Sequence, residues 1–136
     1  MLIREIMSRN PVTVELDDKL SSVKQIFDHV RFHHLLVVED GKLFGVVSDR
    51  DLLKAISPNL GLVTETYKDA ATLNKRVHQI VTRKPLTLRP EAPVEDAVHL
   101  FLHHTISCIP IVDDQQHPVG VVSWRDILHA VFPDAG

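Results

Sequence analysis

The sequence predicts a mixed α/β (α+β) fold in which a unit of strand, helix, strand, strand and helix occurs twice. The main observation is an internal repeat: residues 6–40 align with residues 80–114, and residues 45–55 align with residues 120–130. Within each copy, short β-branched runs are typical of strands, and apolar residues three and four apart are typical of helices that pack on a sheet. The chain is therefore interpreted as a tandem duplication with pseudo-two-fold symmetry.

The alignment predicts a first repeat at residues 1–56, a connector at residues 57–75 and a second repeat at residues 76–134. A helix with an apolar face is expected within residues 69–81, where the connector leads into the second repeat. With 136 residues, the chain is long enough to bury a core that needs no disulfide or metal ion.

The first half of the first repeat predicts three elements. Residues 2–7 predict a short helix that ends before Pro11, because the residue before proline avoids helical backbone angles. Residues 11–14 predict a strand, and Asp17 or Asp18 is expected to cap the helix that follows. The apolar face of that helix carries Leu20, Val23, Phe27 and Val30.

The second half of the repeat predicts a hairpin and a further helix. Residues 35–38 are continuously apolar, as in a strand covered on both faces, and Asp40-Gly41 is typical of a two-residue hairpin turn. Residues 43–47 predict the return strand, after which Ser48 begins a helix. The apolar positions of this helix are Leu52, Leu53 and Ile56. In the second repeat, Pro93 is expected at the first position of its first helix.

Composition and charge exclude several classes of function. The net charge is −3 with histidines neutral, and the basic residues are scattered, whereas a nucleic-acid interface needs a concentrated basic face. Cys108 is the only cysteine, which excludes a disulfide within the chain and fits a reducing compartment. Residues 1–5 lack the basic start of a signal peptide, and no run of about 18 apolar residues occurs. We therefore expect a cytoplasmic protein with no nucleic-acid or membrane partner.

The most informative motif is a strand that turns into a helix, written Gly-Val-Val-Ser-x-Arg-Asp at residues 45–51 and again at residues 120–126. A capping box explains Ser-x-x-Asp by itself, because the hydroxyl and the carboxylate each accept a backbone N–H. A cap does not need the arginine between them. Helix starts at strand ends bind phosphate, a guanidinium adds bidentate phosphate contacts, and an aspartate can accept ribose hydroxyls. A helix cap and a nucleotide site are thus both open interpretations.

The duplicated unit resembles a pair of CBS domains (the cystathionine β-synthase repeat), which together form a Bateman module. The resemblance covers nearly the whole chain, and its short free-standing relatives include proteins similar to acetoin-utilisation accessory proteins. It rests on residues 6–11, 35–38 and 45–53 in the first copy, and on residues 80–85, 109–112 and 120–128 in the second.

The resemblance implies that adenosine-containing regulatory ligands bind in two clefts between the repeats, with no catalytic cofactor and no metal. The implied ligands are AMP, ADP, ATP, NAD or S-adenosylmethionine. The implied ribose-binding carboxylates are Asp51 and Asp126, and the turn hydroxyls are Ser48 and Ser123. The other implied or motif-marked positions are Thr13, His33, His34, Leu35, Arg50, Thr87, Cys108, Ile109 and Arg125.

Equivalent positions have the same implied role in the two copies, with one exception. Thr13 and Thr87 fall where the family contacts the base or a phosphate. The residue pairs that begin the second strand fall where its backbone contacts adenine. His33 is replaced by Ser107 in the second copy, so the two clefts are not expected to be equivalent.

Nine histidines raise the alternative of a metal site. His29 and His33 are four residues apart, and His103-His104 lies at the equivalent helix end, but no carboxylate or cysteine completes a ligand set. Histidines at helix ends, where positive charge is favourable, are the preferred interpretation, and a phosphate contact from His33, His34 or His104 is an intermediate one.

Two further side chains have competing interpretations. Cys108 opens an apolar run and is expected to be buried and unreactive, because no cationic partner is adjacent. Trp124 stands where the first copy has Asp49, beside the expected cleft. It either stacks on a base or covers an apolar surface.

Three functions are compatible with the sequence. The first is a non-catalytic adenine-nucleotide sensor, expected to be a homodimer that acts on an unidentified effector protein by favouring one of two arrangements of the repeats. The second is an interaction or dimerisation module in which both turns are only helix caps. An enzyme is disfavoured, because no nucleophile–base pair, Walker loop or Rossmann glycine pattern occurs.

Overall fold

The computed structural model describes residues 1–30 and 32–135 and confirms the mixed fold class. In chain order the elements are α1 (Ile3–Ile6), β1 (Ser8–Arg9), β2 (Thr13–Glu15), α2 (Leu20–His29), β3 (His34–Glu39), β4 (Lys42–Ser48), α3 (Asp49–Ala55), α4 (Tyr67–Ala71), β5 (Thr82–Arg83), α5 (Val94–His103), β6 (Cys108–Val112), β7 (Pro118–Ser123) and α6 (Trp124–Val131). Single 3₁₀ turns follow at Thr72–Asn74, Val77–Gln79 and Pro133–Ala135.

The chain forms two compact units. The first-repeat unit comprises residues 12–39 and 44–83, and the second-repeat unit comprises residues 1–11, 40–43 and 84 onwards. The short segment that leads into each repeat therefore packs in the unit of the other repeat.

Strand pairing shows this exchange directly. In the first-repeat unit the sheet order is β2-β3-β4-β5, with β2 parallel to β3 and β5 antiparallel to β4. In the second-repeat unit the order is β1-β7-β6, and both pairs are antiparallel. The first strand expected in the second repeat is reduced to one bridge between Leu88 and Ile111.

The two cores are built from equivalent residues. Ile3 is fully buried in the core of the second-repeat unit, and its repeat counterpart Val77 is fully buried in the core of the first-repeat unit. The backbone repeats the same pattern: the Ile3 N–H donates to the Ala92 carbonyl at 2.8 Å, and the Val77 N–H donates to the Asp18 carbonyl at 2.9 Å. Burial of these aliphatic side chains fixes each lead-in segment to its sheet.

Glycine is required where the lead-in strands β1 and β5 pair with β7 and β4. A Cβ on Gly45 would overlap the carbonyl oxygen of Thr82 in β5. A Cβ on Gly120 would lie 2.6 Å from the Met7 sulfur and 2.9 Å from the Ser8 carbonyl oxygen. The repeated glycine of the sequence motif thus permits close backbone approach.

The hairpin prediction is confirmed, whereas the predicted connector helix is wrong. Asp40 and Gly41 have φ values of 52° and 78°, as a two-residue hairpin of this kind requires. Residues 69–81 instead contain the end of α4 and two separate 3₁₀ turns. The reason is tertiary pairing: the N–H groups of Val77 and His78 donate to carbonyls of residues 18 and 16 rather than within a helix.

Three details at helix ends and faces also differ from expectation. The N-cap of α2 is Lys19 and not an aspartate, because the Leu20 N–H donates to the Lys75 carbonyl at 2.8 Å and needs no side-chain cap. Pro93 is the N-cap of α5, one residue before the predicted position. Leu53 was expected on the apolar face of α3, but 68% of it is exposed.

Candidate functional site

The repeated strand-to-helix turn forms a capping box in the first repeat. The Ser48 hydroxyl accepts the Asp51 N–H at 3.1 Å, and the Asp51 carboxylate accepts the Ser48 N–H at 2.9 Å through Oδ2. In the second repeat, Asp126 Oδ2 accepts both the Ser123 N–H at 2.8 Å and the Ser123 hydroxyl at 3.2 Å. Both carboxylates are half-buried, and each is held by one of its two oxygens. The helix-cap interpretation is therefore correct for both residues in the first repeat, and for the carboxylate in the second.

In the first-repeat unit, the predicted positions converge on one end of the sheet. Thr13 begins β2, His34 and Leu35 begin the parallel strand β3, and the antiparallel strand β4 ends at Ser48. Two parallel strands start at the same end of a sheet, and a strand that runs antiparallel to them finishes at that end. Thr13 pairs with Leu36, directly after Leu35. The side chain of Leu35 is fully buried, so only its backbone is available at this edge.

A histidine–aspartate pair that was not predicted lies at the same end of the sheet. His33 Nδ1 and Asp49 Oδ2 lie 2.9 Å apart, and the Asp49 N–H donates to the His33 carbonyl at 2.9 Å. Burial acts to raise the pKa of Asp49, but the hydrogen bonds from His33 and from the Arg50 backbone outweigh it and lower that pKa. The one feature of the sequence that could have indicated this pair is that both residues are replaced in the second repeat, by Ser107 and Trp124.

His34 is half-buried beside this pair. Burial lowers its pKa most, and His33 lowers it further, while the carboxylates of Asp49 and Asp51 act to raise it. The neutral imidazole is therefore favoured near pH 7. A neutral ring suits hydrogen bonding to an uncharged group better than charge pairing.

The predicted positions of the second-repeat unit also lie together. Cys108 pairs with Ser123 across the β6–β7 ladder, and Ile109 is fully buried, so it too offers only backbone. Thr87 precedes Leu88, whose N–H donates to the Pro110 carbonyl at 3.2 Å. Arg125, like Arg50 in the first repeat, is exposed in the first turn of its helix. Each unit thus contains its own set of candidate residues.

The surroundings of Cys108 and Trp124 decide between the competing interpretations of these side chains. Burial raises the pKa of the Cys108 thiol to about 12, so the thiol is not a nucleophile near neutral pH, as expected. The Trp124 ring lies on Phe101, with ring centroids 4.9 Å apart. It therefore covers part of an apolar surface, one of the two interpretations offered by the sequence.

Two of the histidines, His29 and His103, are the last residues of helices. α2 ends at His29, whose Nδ1 is 2.7 Å from the Gln25 carbonyl, and α5 ends at His103, which stacks on His99. Within residues 1–30 and 32–135, no group of three or more His, Cys, Asp or Glu side chains is arranged to hold a metal ion. Across the same residues, the helices are all too short or too polar to cross a membrane.

Comparison with known proteins agrees with this arrangement. A sequence profile of the CBS domain matches residues 3–58 and 77–133. A CBS domain-containing protein of Dictyostelium discoideum is 31% identical over 130 residues, which span 94% of this chain and 89% of that protein.

Two solved structures show the same fold. The CBS domain pair of protein MJ0100, in complex with 5′-methylthioadenosine and S-adenosyl-L-methionine, is 26% identical with a TM-score of 0.79, covering 98% of this chain and 97% of that one. A Vibrio cholerae protein assigned to acetoin utilization is 21% identical with a TM-score of 0.79, covering 98% of this chain and 91% of that one. At 21% identity, the likeness concerns the fold alone. With the profile matched twice, this chain belongs to the CBS domain family and carries a pair of CBS domains.

Proposed function

We propose that this chain is a non-catalytic regulatory module that binds an adenosine-containing ligand at the candidate residues of each repeat. The observation that carries the proposal is the convergence of Thr13, the start of β3 and the Ser48–Asp51 turn on one sheet edge. A likeness at 26% identity to a CBS domain pair that holds 5′-methylthioadenosine and S-adenosyl-L-methionine supports the adenosine class. The candidate ligands are AMP, ADP, ATP, NAD and S-adenosylmethionine.

Each residue type has a distinct role in this proposal. Asp51 and Asp126 accept ribose hydroxyls through Oδ1, because their capping bonds use Oδ2. The backbone of residues 34–35 and 108–109 contacts the base, since Leu35 and Ile109 bury their side chains in the core. The side chains that face the phosphate or the base are Thr13, Thr87, His33, Arg50 and Arg125.

The chain functions as a homodimer that acts on an effector protein. Several large apolar side chains on its helices are exposed, among them Leu53, Trp124 and Leu128. Exposed apolar side chains of this size are candidates for contact with another protein. A ligand changes such a surface only if it binds two arrangements of the protein with different affinity.

A thermal-shift panel with the five candidate ligands tests binding. A ligand at a hundredfold excess over its dissociation constant stabilises the folded chain by about 2.7 kcal/mol, which raises the melting temperature measurably. At least one of the five is expected to do so. If none shifts the melting temperature, the regulatory proposal is wrong.

Paired variants separate binding from capping. Asp51→Ala and Asp126→Ala are each expected to reduce the ligand-induced shift and to cost about 1 kcal/mol of stability through the lost cap. The control is Asp69→Ala, because Asp69 closes a similar box with Thr66 at the start of α4, outside the candidate residues. This control is expected to lose stability and to keep the full ligand-induced shift.

The second candidate function is a ligand-free interaction module. The reciprocal Ser48–Asp51 bonds favour it, because they account for both side chains without any ligand. It predicts that the Asp51 and Asp69 variants behave alike: each loses a cap, and neither changes a ligand response.

A further inference from the structure

Two histidines lie one helical turn apart on the exposed side of α5. His99 and His103 are separated by four positions, and the centroids of their rings are 6.0 Å apart with the planes 9° from parallel. The buried residues Val94, Ala97 and Phe101 occupy the opposite side of the helix. Both imidazoles therefore lie side by side, and both are exposed.

The two rings contact each other and are not held by a third group. Across residues 1–30 and 32–135, no hydrogen bond or ion pair joins the ring of His99 or His103 to another part of the protein. The first repeat has Gln25 and His29 at the equivalent positions, and there the Nδ1 atom of His29 lies 2.7 Å from the Gln25 carbonyl oxygen. The histidine pair is therefore a feature of the second repeat, and its ring nitrogens are available to a ligand.

The charge around the pair favours a cation. Glu95 and Asp96 are exposed one turn before His99 on the same side of α5, where the first repeat has Ser21 and Ser22. The helix contains no Lys or Arg. Its C-terminal end, at which the pair lies, also carries partial negative charge from the backbone carbonyls. A positive ion at the two imidazoles is thus attracted from both sides.

The chemistry of two imidazoles selects the class of ion. Two histidines with this spacing on one helix face also form the metal-binding element of H-E-x-x-H metalloproteases. A zinc centre takes three or four protein ligands, and within the described part of the chain no third His, Cys, Asp or Glu joins the pair. Nitrogen ligands with water in the other positions suit the tetragonal geometry of Cu²⁺ and Ni²⁺. Mg²⁺ and Ca²⁺ prefer oxygen ligands.

We propose that His99 and His103 form a two-histidine site for Cu²⁺ or Ni²⁺, with water completing the coordination shell. Because both side chains are exposed, rotation about their side-chain bonds can direct one nitrogen of each ring at a shared ion. The ion then joins two successive turns at the end of α5. Neither histidine belongs to the candidate nucleotide positions, so the site goes beyond the proposed function.

Calorimetric titration with nickel chloride tests the site on the full chain without a polyhistidine tag. His99→Gln and His103→Gln are each expected to weaken Ni²⁺ binding by about tenfold or more, because the second imidazole of a pair binds within the same molecule. The matched control is His29→Gln, which removes an exposed histidine at the end of α2 that has no histidine four residues before it. This control is expected to keep the wild-type affinity. Equal affinity in the wild type and the His99→Gln protein would overturn the proposal.

A double variant distinguishes one shared ion from two separate sites. If both histidines bind the same ion, the chain with His99→Gln and His103→Gln together is expected to lose much less affinity than the sum of the two single losses. Losses that add would show that each histidine binds its own ion and would contradict the proposal. The variants change exposed side chains, so their melting temperatures without metal are expected to match the wild type.

Electron paramagnetic resonance of the Cu²⁺ complex supplies an independent measurement. The wild type is expected to show two nitrogen ligands, and the His103→Gln protein one. A wild-type spectrum with a single nitrogen would contradict the proposal. Binding of Mg²⁺ with the affinity of Ni²⁺ would also contradict it, since such binding would come from the carboxylates and not from the imidazoles. None of these experiments includes a nucleotide, so their failure is distinguishable from failure of the proposed function.

Discussion

At the first turn of α3, one oxygen of Asp51 accepts the Ser48 N–H at 2.9 Å, and the same side chain is the proposed ribose contact. The two roles involve different oxygens, so a cap can persist while a ligand is bound. A carboxylate fixed by a backbone N–H also loses less rotamer freedom on binding than a mobile one. Capping at this residue is thus compatible with recognition and would pre-organise it.

The half-buried His34 predicts a dependence of stability on pH. Burial lowers its pKa in the folded state below the ordinary value of 6.5. At pH values below 6.5 the unfolded chain therefore binds more protons at this residue, and the free energy of unfolding decreases as the pH falls. Urea unfolding near pH 7.5 and near pH 5.5 is expected to show a smaller stability at the lower pH.

The matched variant for this prediction is His34→Gln, which keeps a polar side chain but does not titrate. Its stability is expected to change less than that of the wild type between the two pH values, since the other histidines are common to both proteins. Equal losses in the two proteins would show that His34 is not responsible.

At the element scale, the exchange of lead-in segments depends on close backbone contact. Gly45→Ala would place a methyl group against the Thr82 carbonyl and 2.6 Å from Val81 Cγ2, so the β4–β5 pair must separate. Crowding of this kind costs about 1 to 3 kcal/mol. At Gly120 the nearest atom belongs to the flexible Met7 side chain, and the nearest backbone atom, the Ser8 carbonyl oxygen, is farther away at 2.9 Å than Thr82 is from Gly45, so Gly120→Ala is expected to cost less. Chemical denaturation of the two variants checks this order, and the reverse order would contradict it.

The same exchange makes Ile3 a core residue of the second-repeat unit. Ile3→Ala is expected to destabilise the chain by about 2 to 5 kcal/mol, as for other fully buried aliphatic side chains. Arg4→Ala, at an exposed neighbouring position, is the control and is expected to change stability little. If the Ile3 variant is as stable as the control, the lead-in segment does not pack in this core.

Elements determined by local chemistry could be predicted from the sequence, and those determined by distant partners could not. The Asp40-Gly41 hairpin was predicted because positive φ angles leave a signature in residue type. The α2 cap and the connector helix were predicted wrongly, because Lys75 and Val77 make backbone hydrogen bonds with residues far away in the sequence. Propensity and apolar spacing contain no information about such partners.

The candidate site shows the same division. The Ser48–Asp51 box is local, and its spacing predicted it. The His33–Asp49 pair joins residues 16 apart through the β3–β4 hairpin and became visible only in the folded chain.

For the whole molecule, the proposed ligand sites and the proposed homodimer are linked if ligand binding favours one arrangement of the protein. Asp51, the proposed ribose contact, lies in the first turn of α3, and the same helix presents the exposed apolar side chain of Leu53. We therefore expect a ligand that binds the first repeat to change the dimer dissociation constant. Sedimentation equilibrium with and without the ligand measures this, and Asp51→Ala is expected to reduce the difference. Identical dissociation constants in both conditions would show that the two events are not coupled.

Calorimetric titration tests the central claim most directly. The wild-type chain is titrated with each of AMP, ADP, ATP, NAD and S-adenosylmethionine, and the titration is repeated with a chain that carries both Asp51→Ala and Asp126→Ala. We predict saturable binding of at least one ligand to the wild type, lost in the double variant and retained in Asp69→Ala. Binding of equal affinity to the wild type and the double variant, or no binding of any of the five ligands, would contradict the assignment of these turns as adenosine-binding sites.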